Sequence, residues 1–367
     1  MEKKLNIICT VTNNLAYDQR MQRICTSLQN AGYNVTLTGR WLKNTPQTSF
    51  SFNVKYFKCY FNKTFLFYAE YNIRLLFYLI TNRFDIYYAV DLDTLLPNTI
   101  AKIIFKKKLV FDAHEYFTET PEVTNRPLVK VVWQTIANFC IPKANLCITV
   151  GPELTKLFSK IYNRAFYVVK NVPFLTNPIA SENNIEKIIL YQGALNKSRG
   201  LEECIRAMHF VNNAKLYIAG EGDLSSNLRK LVFELNLKDK VKFLGFIKPD
   251  ELKEITANAY IGLNLLKYDG ESYYYSLANK FFDYIMAELP QLCADFPEYK
   301  NINNTYKIAL LTSCNVSQIA DNLNTLLVNE KLYLQLKQNC AKARQVLNWQ
   351  QEEKILINLF KKHIIGK

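Results

Sequence analysis

The sequence predicts an α/β protein made of two successive doubly wound halves, each a parallel sheet with crossover helices. Three observations carry this prediction. Short apolar strand patterns alternate with amphipathic helical patterns along the chain. The alternation lapses once, over residues 173–186, which are polar and lack a clear period. The 367 residues suffice for two ordinary cores.

In chain order, residues 5–11 (Leu-Asn-Ile-Ile-Cys-Thr-Val) read as a strand. Residues 18–31 read as a helix, with Met21, Ile24, Cys25 and Leu28 at helical spacing and Gly32 closing it. Residues 34–38, 86–90, 108–111 and 146–150 are short apolar strands, with a helical stretch at 94–105. Gly151-Pro-Glu-Leu opens another helix, Pro sitting just inside its start. The second half repeats the rhythm, with strands at 187–191, 215–219, 241–244, 259–263 and 291–293. Its helices fall at 200–208, 225–235, 248–257, 277–287 and 316–329. A last amphipathic helix covers 348–362. The expected domains are therefore 1–175 and 187–345, with a linker at 176–186 and a terminal segment, 346–367, packing back toward the first domain. In such an architecture ligands bind in a cleft between the carboxyl ends of the two sheets. Pattern alone leaves a transferase, an epimerase and a dehydrogenase open.

Composition narrows the class. Half the residues are hydrophobic (49%), and mean hydropathy is -0.10, as for a soluble globular chain. Nine scattered cysteines without Cys-x-x-Cys, and only three histidines, argue against a zinc site and for a reducing compartment. Neither a signal peptide nor a transmembrane helix is expected. The net charge of +14 is uneven: residues 1–180 hold 22 Lys+Arg against 11 Asp+Glu, and residues 181–367 hold 24 against 21. A basic first half suits an anionic substrate or lipid; no nucleic-acid module accompanies it. Residues 56–83 interleave Phe57, Tyr60, Phe61, Phe65, Phe67, Tyr68, Tyr71, Phe77 and Tyr78 with Lys58, Lys63 and Arg74. They suit either core packing or the surface of an anionic membrane.

Four stretches are candidates for chemistry. Tyr191-Gln-Gly-Ala-Leu-Asn-Lys-Ser-Arg-Gly runs from a strand into a helix start, where amide N–H groups favour phosphate and Lys197 or Arg199 adds charge. Its glycine spacing is not that of a dinucleotide fingerprint, which disfavours a dehydrogenase. Ala219-Gly-Glu-Gly-Asp offers Gly220 and Gly222 for close backbone approach. Gly270-Glu-Ser-Tyr-Tyr-Tyr-Ser-Leu-Ala-Asn-Lys-Phe-Phe-Asp places Lys280 and Asp283 on one helical face. They form either a surface ion pair or a cation for diphosphate beside a carboxylate able to accept two ribose hydroxyls. Phe111-Asp-Ala-His-Glu sets His114 at a strand's carboxyl end, suited to hydrogen bonding or proton transfer. Asp91-Leu-Asp invites a metal; the preferred expectation is that Asp93 lies near a helix N-cap and that no metal binds.

Together these stretches resemble the retaining glycosyltransferases of the GT-B fold, family GT4, over nearly the whole chain. Tyr-Asp-Gln-Arg-Met-Gln-Arg at 17–23, Val90-Asp-Leu-Asp-Thr-Leu, Tyr191-Gln-Gly, Arg199-Gly, Ser276-Leu-Ala-Asn-Lys-Phe-Phe-Asp-Tyr and Asn348-Trp-Gln-Gln-Glu carry the likeness. The resemblance implies two Rossmann-like domains facing across a cleft. It also implies metal-independent transfer of a hexosyl group, with retention, from a UDP- or GDP-linked sugar to a glycan or lipid-linked hydroxyl. No cofactor beyond that co-substrate is implied. Asp283 would grip the donor ribose, and Lys280 and Arg199 would face the phosphates. Gly193, Lys197, Gly220 and Gly222 would complete that turn. Phe246 and Ile247 would border the base, and Glu271 and Ser276 would lie near the sugar. His114, with Arg199 and Lys280, would serve catalysis; Asp18, Arg20, His114 and Glu115 would line the acceptor side. The setting implied is cell-surface polysaccharide or glycolipid assembly in the cytoplasm, at the inner face of the membrane. Three places depart from the pattern: Tyr275 stands where many relatives carry the first Glu of Glu-x7-Glu, Glu288 where they usually carry Gly, and Ala194 and Leu195 where a basic residue often follows the first donor-domain Gly. A GT-B epimerase and a degenerate nucleotide-sugar-binding scaffold are the alternatives.

Overall fold

The computed structural model describes residues 4–43, 49–179 and 186–366. The chain divides into two compact units: Met1–Asn171 with Glu352–Lys367, and Val172–Gln351. Of the expected linker, residues 180–185 lie outside the described residues.

The first unit runs β1 (Asn6–Thr10), α1 (Gln19–Asn30), β2 (Asn34–Arg40), β3 (Asn53–Phe57), α2 (Thr64–Thr81), β4 (Ile86–Val90), α3 (Leu95–Phe105), β5 (Lys108–Ala113), α4 (Pro121–Thr124), α5 (Pro127–Cys140), β6 (Leu146–Thr149), α6 (Pro152–Tyr162) and β7 (Phe166–Val168). Its seven strands are all parallel, in the order β3-β2-β1-β4-β5-β6-β7. Strands covered on both faces read as continuous apolar runs, and all five residues of β4 are buried. The Asp18 carboxylate caps α1, accepting from Met21 N at 3.0 Å, and Gly32 follows the helix at φ +96°. The order reverses between β1 and β4, so their carboxyl ends form the crevice typical of such a sheet.

The aromatic stretch at 56–83 is buried on one side and exposed on the other. Phe67, Tyr71, Leu75 and Leu79 of α2 are buried, with Phe57 edge-on to Tyr71 at 5.5 Å. Phe65, Ile73 and Phe77 lie on the other face, each about 70% exposed. Thr94 holds the N-cap position of α3, so Asp93 lies next to it as expected; the Thr94 hydroxyl donates to Val90 O (2.9 Å) and Thr10 O (3.1 Å).

The second unit runs β8 (Lys187–Gln192), α7 (Leu201–Ala207), β9 (Ala214–Ala219), α8 (Ser225–Glu234), β10 (Val241–Gly245), α9 (Pro249–Ala257), β11 (Ile261–Asn264), α10 (Glu271–Tyr274), α11 (Asn279–Met286), β12 (Gln291–Ala294), α12 (Pro297–Tyr306), β13 (Ala309–Thr312), α13 (Val316–Val328) and α14 (Glu330–Ala343). Its parallel sheet has the order β10-β9-β8-β11-β12-β13. Leu216, Ile218, Leu263 and Leu292 from the strands pack with Ile205, Leu228 and Leu323 from the helices. Each such side chain contributes about 1.5–3 kcal/mol by leaving water. A Cβ at Gly262 would lie 2.5 Å from the Tyr284 ring, so this glycine lets α11 press onto β11. The Tyr284 hydroxyl bridges Leu190 O (3.1 Å) and Leu263 O (3.2 Å), which fixes α11 over the carboxyl end of the sheet. The last helix, α15 (Trp349–Phe360), starts in the second unit and continues into the first.

Candidate functional site

In the second unit the sheet order reverses at β8, and the donor-site candidates gather at the carboxyl ends of β8, β9 and β10 and in the segment from β11 to α11. Gly193 leaves β8 with φ +127°, and Gly220 leaves β9 with φ +143°, backbone that L side chains rarely adopt. A Cβ at Gly220 would sit 2.0 Å from Gly193 O, so the two turns meet backbone to backbone. Gly222 lies close to Leu195 and Asn196. Gly220 N donates to Gly245 O at 2.7 Å, bringing the end of β10 alongside. Beyond it Phe246 is exposed, and Ile247 packs on Leu190, Ala219, Tyr284 and Leu289.

Arg199 and Lys280 are neighbours over aromatic rings. The Arg199 guanidinium carbon lies 5.0 Å from the Tyr273 ring centre, and Lys280 Nζ lies 3.7 Å from that of Tyr191. Lys280 Nζ would also be 3.5 Å from a Cβ at Gly193. Burial, reinforced by the Arg199 charge, holds the Lys280 ammonium well below its ordinary range. Arg199 Nε is buried without a hydrogen-bond partner. Two like charges brought together in a half-buried place are costly by themselves and favour an anion between them.

Lys280 and Asp283 take different partners. The Asp283 carboxylate accepts from Gln192 Nε2 at 3.0 Å, and Gln192 Oε1 accepts from the Thr256 hydroxyl at 2.9 Å. This chain orients a carboxylate at the first turns of α11. Gln192 and Thr256 escaped the sequence reading; the only trace was Gln192's place in the Tyr-Gln-Gly motif. The Glu271 carboxylate accepts from the Tyr268 hydroxyl at 2.8 Å, and the Ser276 hydroxyl donates to Tyr273 O at 2.7 Å. Lys197 is exposed.

In the first unit His114 directly follows β5. Its Nε2 lies 3.2 Å from Asp112 Oδ2, its Nδ1 lies 3.6 Å from Asp91 Oδ2, and its backbone N donates to Asp91 Oδ1 at 2.8 Å. Arg20, expected on the acceptor side, is buried. Its Nε and Nη2 grip Asp112 at 3.1 and 2.8 Å, and Nη1 donates to Val169 O at 2.8 Å. Tyr88 donates its hydroxyl to Asp112 at 2.8 Å. Asp91 is left-handed at φ +51°, and Asp93 accepts from the Thr12 hydroxyl. Burial pushes Asp91 up to about 8 and Asp93 up to about 6. Burial acts on Asp112 in the same sense, but the Arg20 and His114 charges outweigh it and hold Asp112 well below the carboxylate range. His114 is pushed up to about 9: burial opposes the charged ring, and Asp112 and Asp91 overcome it. Asp18 is occupied as the α1 cap, and Glu115 is exposed. Asp112 and Asp91 were missed as partners of His114, although Asp112 stands two residues before it, the spacing of one strand face.

Residues 177–343 match the family described as glycosyl transferases group 1. A stretch of 77 residues is 44% identical to an uncharacterized glycosyltransferase of Methanocaldococcus jannaschii; it spans 20% of this chain and 20% of that protein's length. The whole chain is similar in fold to solved glycosyltransferase structures. Sucrose-phosphate synthase from Thermosynechococcus elongatus superposes with a TM-score of 0.82 at 15% identity, over 99% of this chain and 100% of that one. Anabaena HepE in complex with UDP and glucose gives 0.78 at 15% identity, over 98% and 100%. The fold is GT-B, with two parallel-sheet α/β units. Within the group 1 region fall all the donor-site candidates, from Gly193 to Asp283.

Proposed function

We propose that the chain is a retaining, metal-independent glycosyltransferase that moves a hexosyl group from a nucleoside diphosphate sugar to a hydroxyl of a glycan or lipid-linked acceptor. The observation that carries this reading is the pairing of Arg199 and Lys280 beside Gly193, with the Gln192-oriented Asp283 on the same helix as Lys280. Two cations suit a diphosphate, and a carboxylate suits a vicinal diol. Arg199 and Lys280 would offset most of the charge on the departing diphosphate, the task a metal otherwise performs. HepE has been solved with UDP and glucose and with UDP-glucose, which favours a uridine over a guanosine donor.

A panel of nucleoside diphosphates and their sugars in a thermal-shift assay tests the site. One nucleotide class is expected to stabilise the protein, by about 2.7 kcal/mol at a hundredfold excess over Kd, and Asp283→Ala is expected to abolish the effect. No shift with any nucleotide would overturn the reading. Transfer in the presence of EDTA, followed by assignment of the product's anomeric configuration, tests the metal-independent and retaining parts.

The setting proposed is the inner face of the cell membrane, in polysaccharide or glycolipid assembly. No helix among the described residues is long and apolar enough to cross a membrane. The support for surface binding is an exposed apolar face on neighbouring helices of the first unit: Phe65, Ile73 and Phe77 of α2, Ile104 of α3, and Leu128 and Val131 of α5. Lys63, Arg83, Lys106 and Arg126 are exposed at the ends of those helices. Such a face suits insertion among anionic headgroups.

A further inference from the structure

We infer that Asp112, locked by Arg20 and Tyr88, is a positioning residue that orients the His114 ring and keeps it protonated, so that His114 meets its ligand as a charged N–H donor and not as a base. The geometry is one-directional. Arg20 is only 2% exposed and holds both oxygens of Asp112, which is itself fully buried. A carboxylate under a bidentate guanidinium and a tyrosine hydroxyl stays ionised and cannot rotate. Its Oδ2 then faces His114 Nε2 at 3.2 Å, which places a proton on that nitrogen. The ring's other nitrogen lies 3.6 Å from Asp91, beyond an ordinary hydrogen bond, and the ring is 21% exposed. Nδ1–H is thus the atom His114 has to offer a ligand.

The charged and titratable groups around the ring act unequally. From β5 comes Asp112, with Arg20 of α1 and Tyr88 of β4 behind it. Past β4 come Asp91 and Asp93, both pushed up by burial, to about 8 and about 6, so Asp91 carries little charge toward the ring at the acid side of neutrality while Asp93 already ionises there. Glu115 adjoins His114 in sequence and is exposed. Asp112 is therefore the carboxylate that holds the imidazolium, and Asp91 adds its charge only as it ionises near pH 8. Among retaining transferases, a fixed cation and N–H donor fits the sugar's hydroxyls or the departing phosphate; a neutral imidazole would fit abstraction of the acceptor proton.

This inference rests on the reading that His114 lines the acceptor side, but its first test needs no substrate. The chain has three histidines, so imidazole NMR of the 15N-labelled full-length protein is tractable, with His209→Gln and His363→Gln giving the assignment. In the wild type, His114 is expected as the imidazolium at about pH 7, with a midpoint near 9. In Asp112→Asn the midpoint is expected to fall by more than one unit, over tenfold in proton affinity. In Asp91→Asn it is expected to fall by less than in Asp112→Asn, because Asp91, near 8 itself, is ionised at the His114 midpoint but acts by charge alone from 3.6 Å. A neutral His114 ring at about pH 7 in the wild type, or a larger shift from Asp91→Asn than from Asp112→Asn, would overturn the inference. The wild-type arm needs no variant, so a neutral ring at about pH 7 overturns the inference even if Asp112→Asn does not fold. A second readout is the pH profile of kcat/KM: flat through neutrality and falling toward pH 9 for a charged donor, rising through neutrality for a base. A protein that bound no nucleotide would overturn the transferase reading and leave the titration result standing.

Discussion

At the scale of single residues, the buried charges of the first unit make its stability depend on pH in a definite sense. His114 gains proton affinity on folding, from an ordinary 6.5 to about 9, so its contribution is complete below about pH 6.5 and is lost as pH rises through 9. Asp91 is also raised, from 3.8 to about 8, so the folded state holds its proton where the unfolded state does not, and stability falls as pH rises between those two values, overlapping the His114 window from 6.5 to 8. The melting temperature of the first unit is expected to drop between pH 6.5 and 9, and Asp91→Asn is expected to flatten that drop; calorimetry across the range checks both. In the second unit Glu288 occupies φ +57°, a backbone conformation that favours Gly, and its carboxylate pairs with the buried Arg344 at 2.7 Å. Arg344 in turn donates to Thr176 O. The ion pair offsets the backbone strain. Glu288→Ala is expected to cost about 2–3 kcal/mol in denaturant unfolding, because Arg344 loses a charged partner. Neighbours on one helix were more legible in the sequence than neighbours brought together by the sheet, for a physical reason. Lys280 and Asp283 are three apart on one helix, so spacing alone places them together. Arg20 and Asp112 are 92 positions apart, and only the folded sheet brings them into contact.

At the scale of elements, the turns after β8 and β9 and the outer face of α2 carry separate expectations. Gly220→Ala would drive a Cβ to 2.0 Å from Gly193 O at a φ that Ala avoids. It is expected to cost about 2 kcal/mol or more and to weaken nucleotide binding; thermal shift with and without nucleotide separates the two effects. Phe77→Asp removes an exposed apolar group worth about 1.5–3 kcal/mol if inserted in lipid. Flotation with anionic liposomes is expected to weaken about tenfold, with zwitterionic liposomes as the control. Wild-type protein that stays in solution with anionic vesicles would sink the membrane proposal. Elements with strong period were legible: α1, α3 and α6 and the strands β1, β4, β5 and β8 stand where the pattern put them. The missed ones break the pattern for visible reasons. The edge strand β3 exposes Val54 and Lys55, and β13 has only four residues. In α5, Leu128, Val131 and Val132 are exposed, so apolar residues do not mark its buried face. In α14, Lys and Gln dilute a buried stripe of Tyr333, Leu336, Cys340 and Ala343.

At the scale of the whole molecule, the chain leaves the first unit after Asn171 and returns to it at Glu352. The returning segment is structural: the Glu352 carboxylate accepts from Lys170 N at 2.8 Å, and Phe360 stacks on Tyr88 and meets Tyr33 edge-on. Leu356, Phe360 and Ile364 are buried there, together worth on the order of 5–8 kcal/mol, comparable with the whole stability of a domain. A chain ending after Gln351 is expected to lose protection in residues 4–171 while keeping it in 186–351; hydrogen exchange distinguishes the two regions. The same route of the chain sets an order for biosynthesis. Although the first unit begins to leave the ribosome first, it cannot close until residues 352–366 have followed. The intervening 180 residues, 172–351, take roughly 10–40 s to translate. For that interval Tyr33 and Tyr88 await their partner, so the nascent chain depends on prompt folding of its middle portion, or on a chaperone, to reach its final state without aggregating.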